Sequence, residues 1–236
     1  MKYRFQPGWP GTLILLVCLT VFIKLGLWQQ HKAEAKQSLQ ATLDERSLER
    51  PVAMPESLPN LEEWRYRRVV LRGRYDDRYQ ILLDNQVENS EAGYHVLTPL
   101  RLENSETVVL VNRGWVAAGT DRARLPEATV PPDPQEIHGR VWLPPAKFFA
   151  LQPEPSAGSG WQKVWQNIDL PRYGSMVPFK VLPVVVRLDA DSTGGYLRNW
   201  PRPAERMEKH LSYAYQWYGF AITAILIYLV INVRRK

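Results

Sequence analysis

Apolar residues crowd into the two ends of this chain, while the long stretch between them mixes short apolar runs with charge and proline. From Gly11 to Ile23 the run GTLILLVCLTVFI carries no charge, and after Lys24 the apolar character resumes through Leu25, Gly26, Leu27 and Trp28. A continuous apolar stretch of about 20 residues is what a helix needs to cross a bilayer. Lys24 falls near its end, where the aliphatic stem stays in hydrocarbon and the ammonium reaches the head groups. Trp9 and Trp28 bracket the segment as interfacial aromatics. The second run spans about Leu211 to Val233. It opens with the half-polar SYAYQWYG, continues as FAITAILIYLVINV, and is closed by Arg234, Arg235 and Lys236. Its polar half must face protein, a cofactor or the interface.

Between the runs the texture changes twice. His31 to Arg50 is rich in helix formers, with Leu39, Leu43 and Leu48 roughly on one side, so the first helix is expected to continue out of the membrane until Pro51 ends it. Beyond the prolines at 55 and 59 come short runs of β-branched and aromatic residues. They predict strands from Tyr66, Tyr79, Gly93, Thr107, Glu136, Lys163 and Val181. Turns are expected at Asp84-Asn85, at Glu103-Asn104-Ser105 and in PEPSAGSG. A short helix is expected at Asp169 to Met176. Successive short strands without alternating long helices imply an antiparallel sheet closed as a barrel or sandwich. The expected fold class is therefore membrane α+β, with two transmembrane helices flanking a mainly antiparallel β domain outside the cytoplasm. In residue numbers, 1–9 is a cytoplasmic end and 10–29 the first transmembrane helix. Residues 30–60 form a helical extension and linker, 61–209 a periplasmic β-rich domain, 210–233 the second transmembrane helix, and 234–236 a cytoplasmic end.

Charge sets the orientation. Lys2 and Arg4 precede the first span and the triple-basic end follows the second, so the positive-inside rule puts both termini in the cytoplasm, in a bacterial inner membrane. Arg198, Arg202, Arg206 and Lys209 before the second span pull the other way, with Glu205 and Glu208 mixed among them. A cleaved signal peptide is the alternative for the first run, with MKYRF as its basic head and Ala33-Glu34-Ala35 as its site. That site lies far beyond the apolar core, behind Trp28, two Gln, His31 and Lys32, which favours a retained helix. The net charge of +6 is scattered or placed beside the apolar runs. It forms no basic stripe of the kind that tracks phosphates, so the expected partner is membrane lipid and not nucleic acid. The only cysteine, Cys18, lies within the first run, which leaves the central region without a disulfide or a thiolate metal site.

No P-loop, dinucleotide loop or paired-ligand histidine spacing is present, and no nucleophile stands with a base, so no enzymatic chemistry is expected. Two constellations remain. His210 opens the second span and begins a face that continues by helical spacing through Tyr213, Ala214, Trp217 and Ala221. A neutral imidazole there can be an axial ligand of haem iron, with the alanines leaving room for a porphyrin and the aromatics packing on it. It can also be an interfacial histidine in an aromatic belt, bonded to lipid or to the soluble domain, the plainer reading of the spacing alone. The segment LVNRGWV from Leu110 offers Arg113 and Trp115. The guanidinium can meet a haem propionate or a partner carboxylate, or the segment can be a strand end with a bulge at Gly114 and a packed Trp115.

Four short motifs stand in order along the chain: Leu25-Gly26-x-Trp28-Gln29 with Lys32 and Lys36; Gly93-Tyr94-x-Val96-x-Thr98-Pro99-Leu100; Leu110 to Val116; and His210-Leu211-x-Tyr213-Ala214-x-Gln216-Trp217-Tyr218. Together they resemble the Surfeit-locus-one family of cytochrome c oxidase assembly factors, called Shy-one in yeast, over nearly the whole chain. The resemblance implies a non-enzymatic helper in building haem-copper oxidase subunit I that binds haem a at the membrane, with His210 as the iron ligand and Tyr213, Gln216 and Trp217 shaping its pocket. It implies subunit I and a haem a synthase as partners, with Arg113, Trp115, Trp28 and Gln29 as contacts. A scaffold that holds subunit I without touching haem is the other function it allows. Lys32 stands where an Arg is common in the family, and a Lys there lacks bidentate geometry.

Overall fold

In the computed structural model of the chain, residues 3–121, 124–145, 160–205 and 207–235 are described. Lys2, Arg206, Lys236 and all but the last residue of the turn expected in PEPSAGSG lie outside them. The chain divides into two compact units, one made of Met1–Ala41 with Pro201–Lys236 and the other of Thr42–Trp200.

The first unit is a helical hairpin. Helix α1, Trp9–Leu48, is a single helix of 40 residues whose last turns belong to the other unit, as the helix formers after His31 imply. Helix α3, Met207–Asn232, is its partner in this unit. Both are long and apolar enough to cross a bilayer, and outward side chains such as Ile14, Val230 and Ile231 are exposed, an apolar surface suited to lipid. Contacts run in opposite order along the two helices, which makes them antiparallel. Thr12 and Tyr228 share a hydroxyl hydrogen bond at 2.6 Å, Phe22 stacks on Trp217 at 5.9 Å, and Lys36 Nζ donates to the Glu205 carbonyl at 2.8 Å. The buried positions are all small: Gly26 and Ala33 on α1, Ala214 and Ala221 on α3. Small residues let helix backbones approach closely where lipid supplies no hydrophobic drive between them. Strand β1, Tyr3–Phe5, pairs antiparallel with β10, Val233–Arg235, so the two ends of the hairpin lie together. No pattern in these few residues predicted that pairing.

The second unit is a closed β barrel. Its strands are β2 (Val52–Ala53), β3 (Arg68–Tyr75), β4 (Ile81–Glu88), β5 (Glu91–Leu102), β6 (Thr107–Ala117), β7 (Gln135–Trp142), β8 (Val164–Trp165) and β9 (Lys180–Leu188). Helix α2, Leu170–Met176, is capped by Asp169, whose carboxylate accepts from the Arg172 amide. The sheet order is β2-β3-β7-β9-β6-β5-β4-β8, and an additional β3–β5 pairing closes a ring of five strands. Most neighbours are antiparallel; β2–β3, β4–β8 and β6–β9 are parallel. The interior is filled by alternate residues of those five strands, among them Val69, Leu71, Leu100, Val111, Ile137, Val184 and Val186. Closure brings β3 hard against β5 at Gly73, where a Cβ would run into the Arg101 carbonyl oxygen, so only glycine fits that corner. On the outer face of β4, β5, β6 and β9 a second cluster packs Ile81, Leu97, Leu110 and Val185 under Trp165 and Tyr173.

The architecture is the expected one, resolved as a barrel. One turn differs. Asp84-Asn85 is a bulge inside β4, where the register with β5 shifts between Leu83 and Gln86. The chain reverses at Asn89-Ser90, both with positive φ, as a two-residue hairpin whose strands resume at Glu88 and Glu91. Asn85 also has positive φ. Asparagine tolerates that conformation in a bulge as well as in a turn, so the residue type alone does not separate them.

Candidate functional site

The helical hairpin brings two of the four motifs together. His210 Nδ1 lies 2.8 Å from Gln29 Oε1. An amide oxygen only accepts, so the bond requires the proton on Nδ1, an arrangement that in the neutral ring leaves the lone pair on Nε2. No partner for Nε2 is found among the described residues. Metal-binding imidazoles are held this way, with one nitrogen anchored by a hydrogen bond and the other presented to the ion. Nearby, Tyr218 Oη donates to Gln30 Oε1 at 3.0 Å, and its ring lies over Gly26. Gly26, Gln29 and Gln30 of α1 thus form one polar knot with His210 and Tyr218 of α3. At the end of two apolar helices such side chains pair across the seam.

Other expected site residues fall elsewhere. Trp217 is in the seam, stacked on Phe22 and edge-on to Phe220 at 5.7 Å. Tyr213 is 52% exposed, one turn beyond His210. Gln216 lines an open groove with Glu208, Leu211, Ser212 and Tyr215, on a different side of α3 from the buried Ala214. Trp28 is exposed, with Lys32 Nζ 5.9 Å from its ring centre. The alanines leave no space for a porphyrin: Ala214 and Ala221 are 2% and 7% exposed, packed within the hairpin. The donor set fits haem iron, since a neutral imidazole with a bare Nε2 is the ligand form. A porphyrin would have to reach His210 from its half-exposed side. Among the described residues there is no group of three His, Cys, Asp or Glu that could hold a metal ion without such a macrocycle.

The LVNRGWV segment corrects an expectation. Arg113 is 2% exposed and offers no guanidinium to an outside carboxylate. It lies between the rings of Tyr75 and Tyr196, 5.1 Å from each, and its Nε donates to the Gly194 carbonyl at 2.8 Å. Burial pushes the Tyr75 phenol up to about 12, against the pull of the Arg113 charge. Asn112 pairs with Leu97 and Trp115 with His95, so Arg113 and Gly114 bulge opposite one residue. Gly114 has a φ of 114°, and a Cβ there would sit 2.6 Å from the Leu197 carbonyl. Trp115 turns its Nε1 to the Gln86 carbonyl at 3.2 Å and bridges Leu197. The segment is a packed bulge that fastens residues 194–197 to the barrel, the plainer of the two readings.

These features define a class of protein: an apolar helical hairpin, with a histidine anchored across it, joined in one chain to a closed five-stranded barrel. The chain belongs to the SURF1 family, whose family model matches residues 16–222. It is 29% identical over 244 residues to a SURF1-like protein of Monosiga brevicollis, covering 94% of this chain and 87% of that one. A SURF1-like protein of Rickettsia felis is 26% identical over 229 residues, covering 92% and 95%. The cytochrome oxidase assembly protein SHY1 of Saccharomyces cerevisiae is 29% identical over 157 residues, or 62% of this chain and only 38% of the yeast protein.

Proposed function

We propose that this chain is an assembly factor for haem-copper oxidase that binds haem a through His210 and assists its insertion into subunit I. The observation that carries the haem part is the 2.8 Å hydrogen bond from His210 Nδ1 to Gln29, which leaves Nε2 free to bind iron. The printed name of the yeast relative supports the oxidase part, and the bacterial relative, matched over nearly its whole length, supports a home in a bacterial plasma membrane. Both termini are placed in the cytoplasm and the barrel in the periplasm, following the basic residues at the paired chain ends. Membrane lipid, subunit I and a haem a synthase are the partners. No bond-making chemistry is assigned to the chain.

A second reading, a scaffold that binds subunit I without haem, is favoured by the closed seam at Ala214 and Ala221. The two readings separate in one preparation. The full chain is made in cells that also synthesise haem a and is purified in mild detergent, alongside His210→Ala and Gln216→Ala variants. Haem carriage requires a Soret band that His210→Ala loses and Gln216→Ala keeps. A colourless parent that still retains subunit I would overturn haem carriage and leave the scaffold.

A further inference from the structure

Across the outer face of the barrel, three arginines stand side by side in register. Arg68 of β3 is directly opposite Arg140 of β7, and Arg140 is directly opposite Arg187 of β9. Directly opposed residues share a face, and like charges so placed are destabilising. With strands about 4.8 Å apart, the row is about 10 Å long. Four residues along the same strand pair the sheet does the ordinary thing, with Arg72 opposite Glu136 at 2.6 Å. Among the described residues the row of three has one carboxylate near it. Asp189 is 3.9 Å from Arg68 and 3.7 Å from Arg140, both beyond hydrogen-bond reach.

The Nε atoms of Arg68, Arg140 and Arg187 are all buried, with no hydrogen-bond partner among the described residues. Buried polar donors in a native protein are ordinarily satisfied, so the row is under-paired from within, while the Arg68 and Arg140 side chains stay 32% and 38% exposed and can be met from outside. Neighbouring Arg198 shows the contrast, donating to the carbonyls of Asp189, Ser192 and Tyr196 at 2.6–3.1 Å. Arg187 is also held between two indoles, 4.2 Å from the Trp142 ring centre and 5.2 Å from that of Trp200. Burial lowers it only to about 10, so it stays charged at neutral pH, while His95 beyond Trp200 is held neutral.

We propose that this row is a docking site for a partner-protein segment bearing two or more closely spaced Asp or Glu side chains, with Arg140 and Arg187 as its main contacts. Three guanidiniums against one carboxylate require more than a single negative charge, and a fork of donors suits carboxylate oxygens. The indoles supply apolar walls against which the segment's backbone and side-chain stems pack. This site is independent of His210 and of haem.

The test uses the full chain in neutral detergent and fluorescein-labelled hexaglutamate, followed by anisotropy, with hexaglutamine as the control. Saturable, salt-sensitive binding is expected for hexaglutamate alone. Arg140→Gln and Arg187→Gln should each weaken it at least tenfold, while Arg72→Gln, already paired with Glu136, should leave it unchanged. Near-UV circular dichroism checks each fold, and should Arg187→Gln not fold, Arg140→Gln and Arg68→Gln decide. Equal binding of hexaglutamine overturns the proposal, as does affinity unmoved by the row variants. So does displacement by inorganic phosphate or phosphatidylglycerol vesicles at concentrations as low as those of unlabelled hexaglutamate.

Discussion

Replacing Gly26 with alanine adds one methyl group at a close contact of the helical hairpin. An added Cβ would sit 2.8 Å from Tyr218 Cδ1 and 2.9 Å from Cζ, and closer still to Cε1. Carbon atoms in contact stand about 3.5–4.0 Å apart, so ring or helix must retreat by roughly 1 Å. The ring is not free to swing, because its hydroxyl is bonded to Gln30 at 3.0 Å. Either that bond breaks or the helices part. Parting by about 1 Å would also stretch the 2.8 Å His210–Gln29 bond, one turn from Gly26 on α1, past the usual limit near 3.2 Å. Overpacking costs about 1–3 kcal/mol, and an interhelical hydrogen bond adds about 0.6 kcal/mol on average. The expected loss is therefore about 2–3 kcal/mol. Gly219→Ala is the internal control, since nothing lies within 4 Å of a Cβ there. Donor and acceptor dyes at positions 5 and 233, which are paired in the hairpin, report its opening as SDS is added to the detergent. Gly26→Ala should open at a lower SDS fraction than the parent and Gly219→Ala should not. Coincident midpoints for the two variants would refute the packing argument.

Two further outcomes follow from the barrel. Arg113→Lys should destabilise it by about 2 kcal/mol, because a lysine keeps the charge but loses the flat stack between Tyr75 and Tyr196 and the bond to Gly194; urea unfolding followed by tryptophan fluorescence measures this, and an unchanged midpoint would contradict the buried role. Burial, aided by the nearby Arg187 charge, depresses His95 from 6.5 to about 4. Between those values the unfolded chain takes a proton that the folded chain refuses, so stability is complete above pH 6.5 and falls as pH drops toward 4. The fall amounts to at most about 3 kcal/mol and should be largely absent in His95→Gln; unfolding midpoints that do not move between pH 7 and pH 4.5 would rule it out.

The helices and most strands were legible because their signals are local and physical. An uncharged run such as residues 11–23 leaves a chain in lipid no option but a helix, and Thr107–Val116 reads as strand from its β-branched residues alone. His210 stood out for the same reason, as a polar group at the mouth of an apolar run. Its partner could not be read, because Gln29 lies 181 positions away and only the antiparallel packing of α1 on α3 joins them. Arg113 failed in the opposite direction. An arginine at a strand bulge looks exposed, and its burial depends on Tyr75 and Tyr196, which the barrel brings from other elements. The alanines at 214 and 221 were correctly placed on one face, but small residues in a membrane helix serve close packing as readily as ligand space. The arginine row is not legible in the sequence, because register between Arg68, Arg140 and Arg187 exists only once the sheet order is known.

Haem carriage by this chain depends on His210 being held by Gln29 with its Nε2 bare. Selective ¹⁵N-histidine labelling of the full chain in detergent, with two-bond ¹H–¹⁵N correlation spectra, reads the state of each imidazole nitrogen directly. The expected spectrum shows His210 neutral, protonated at Nδ1 and unprotonated at Nε2, with that preference lost in Gln29→Ala. A His210 protonated at Nε2 in the parent, or a spectrum that Gln29→Ala leaves unchanged, would contradict it.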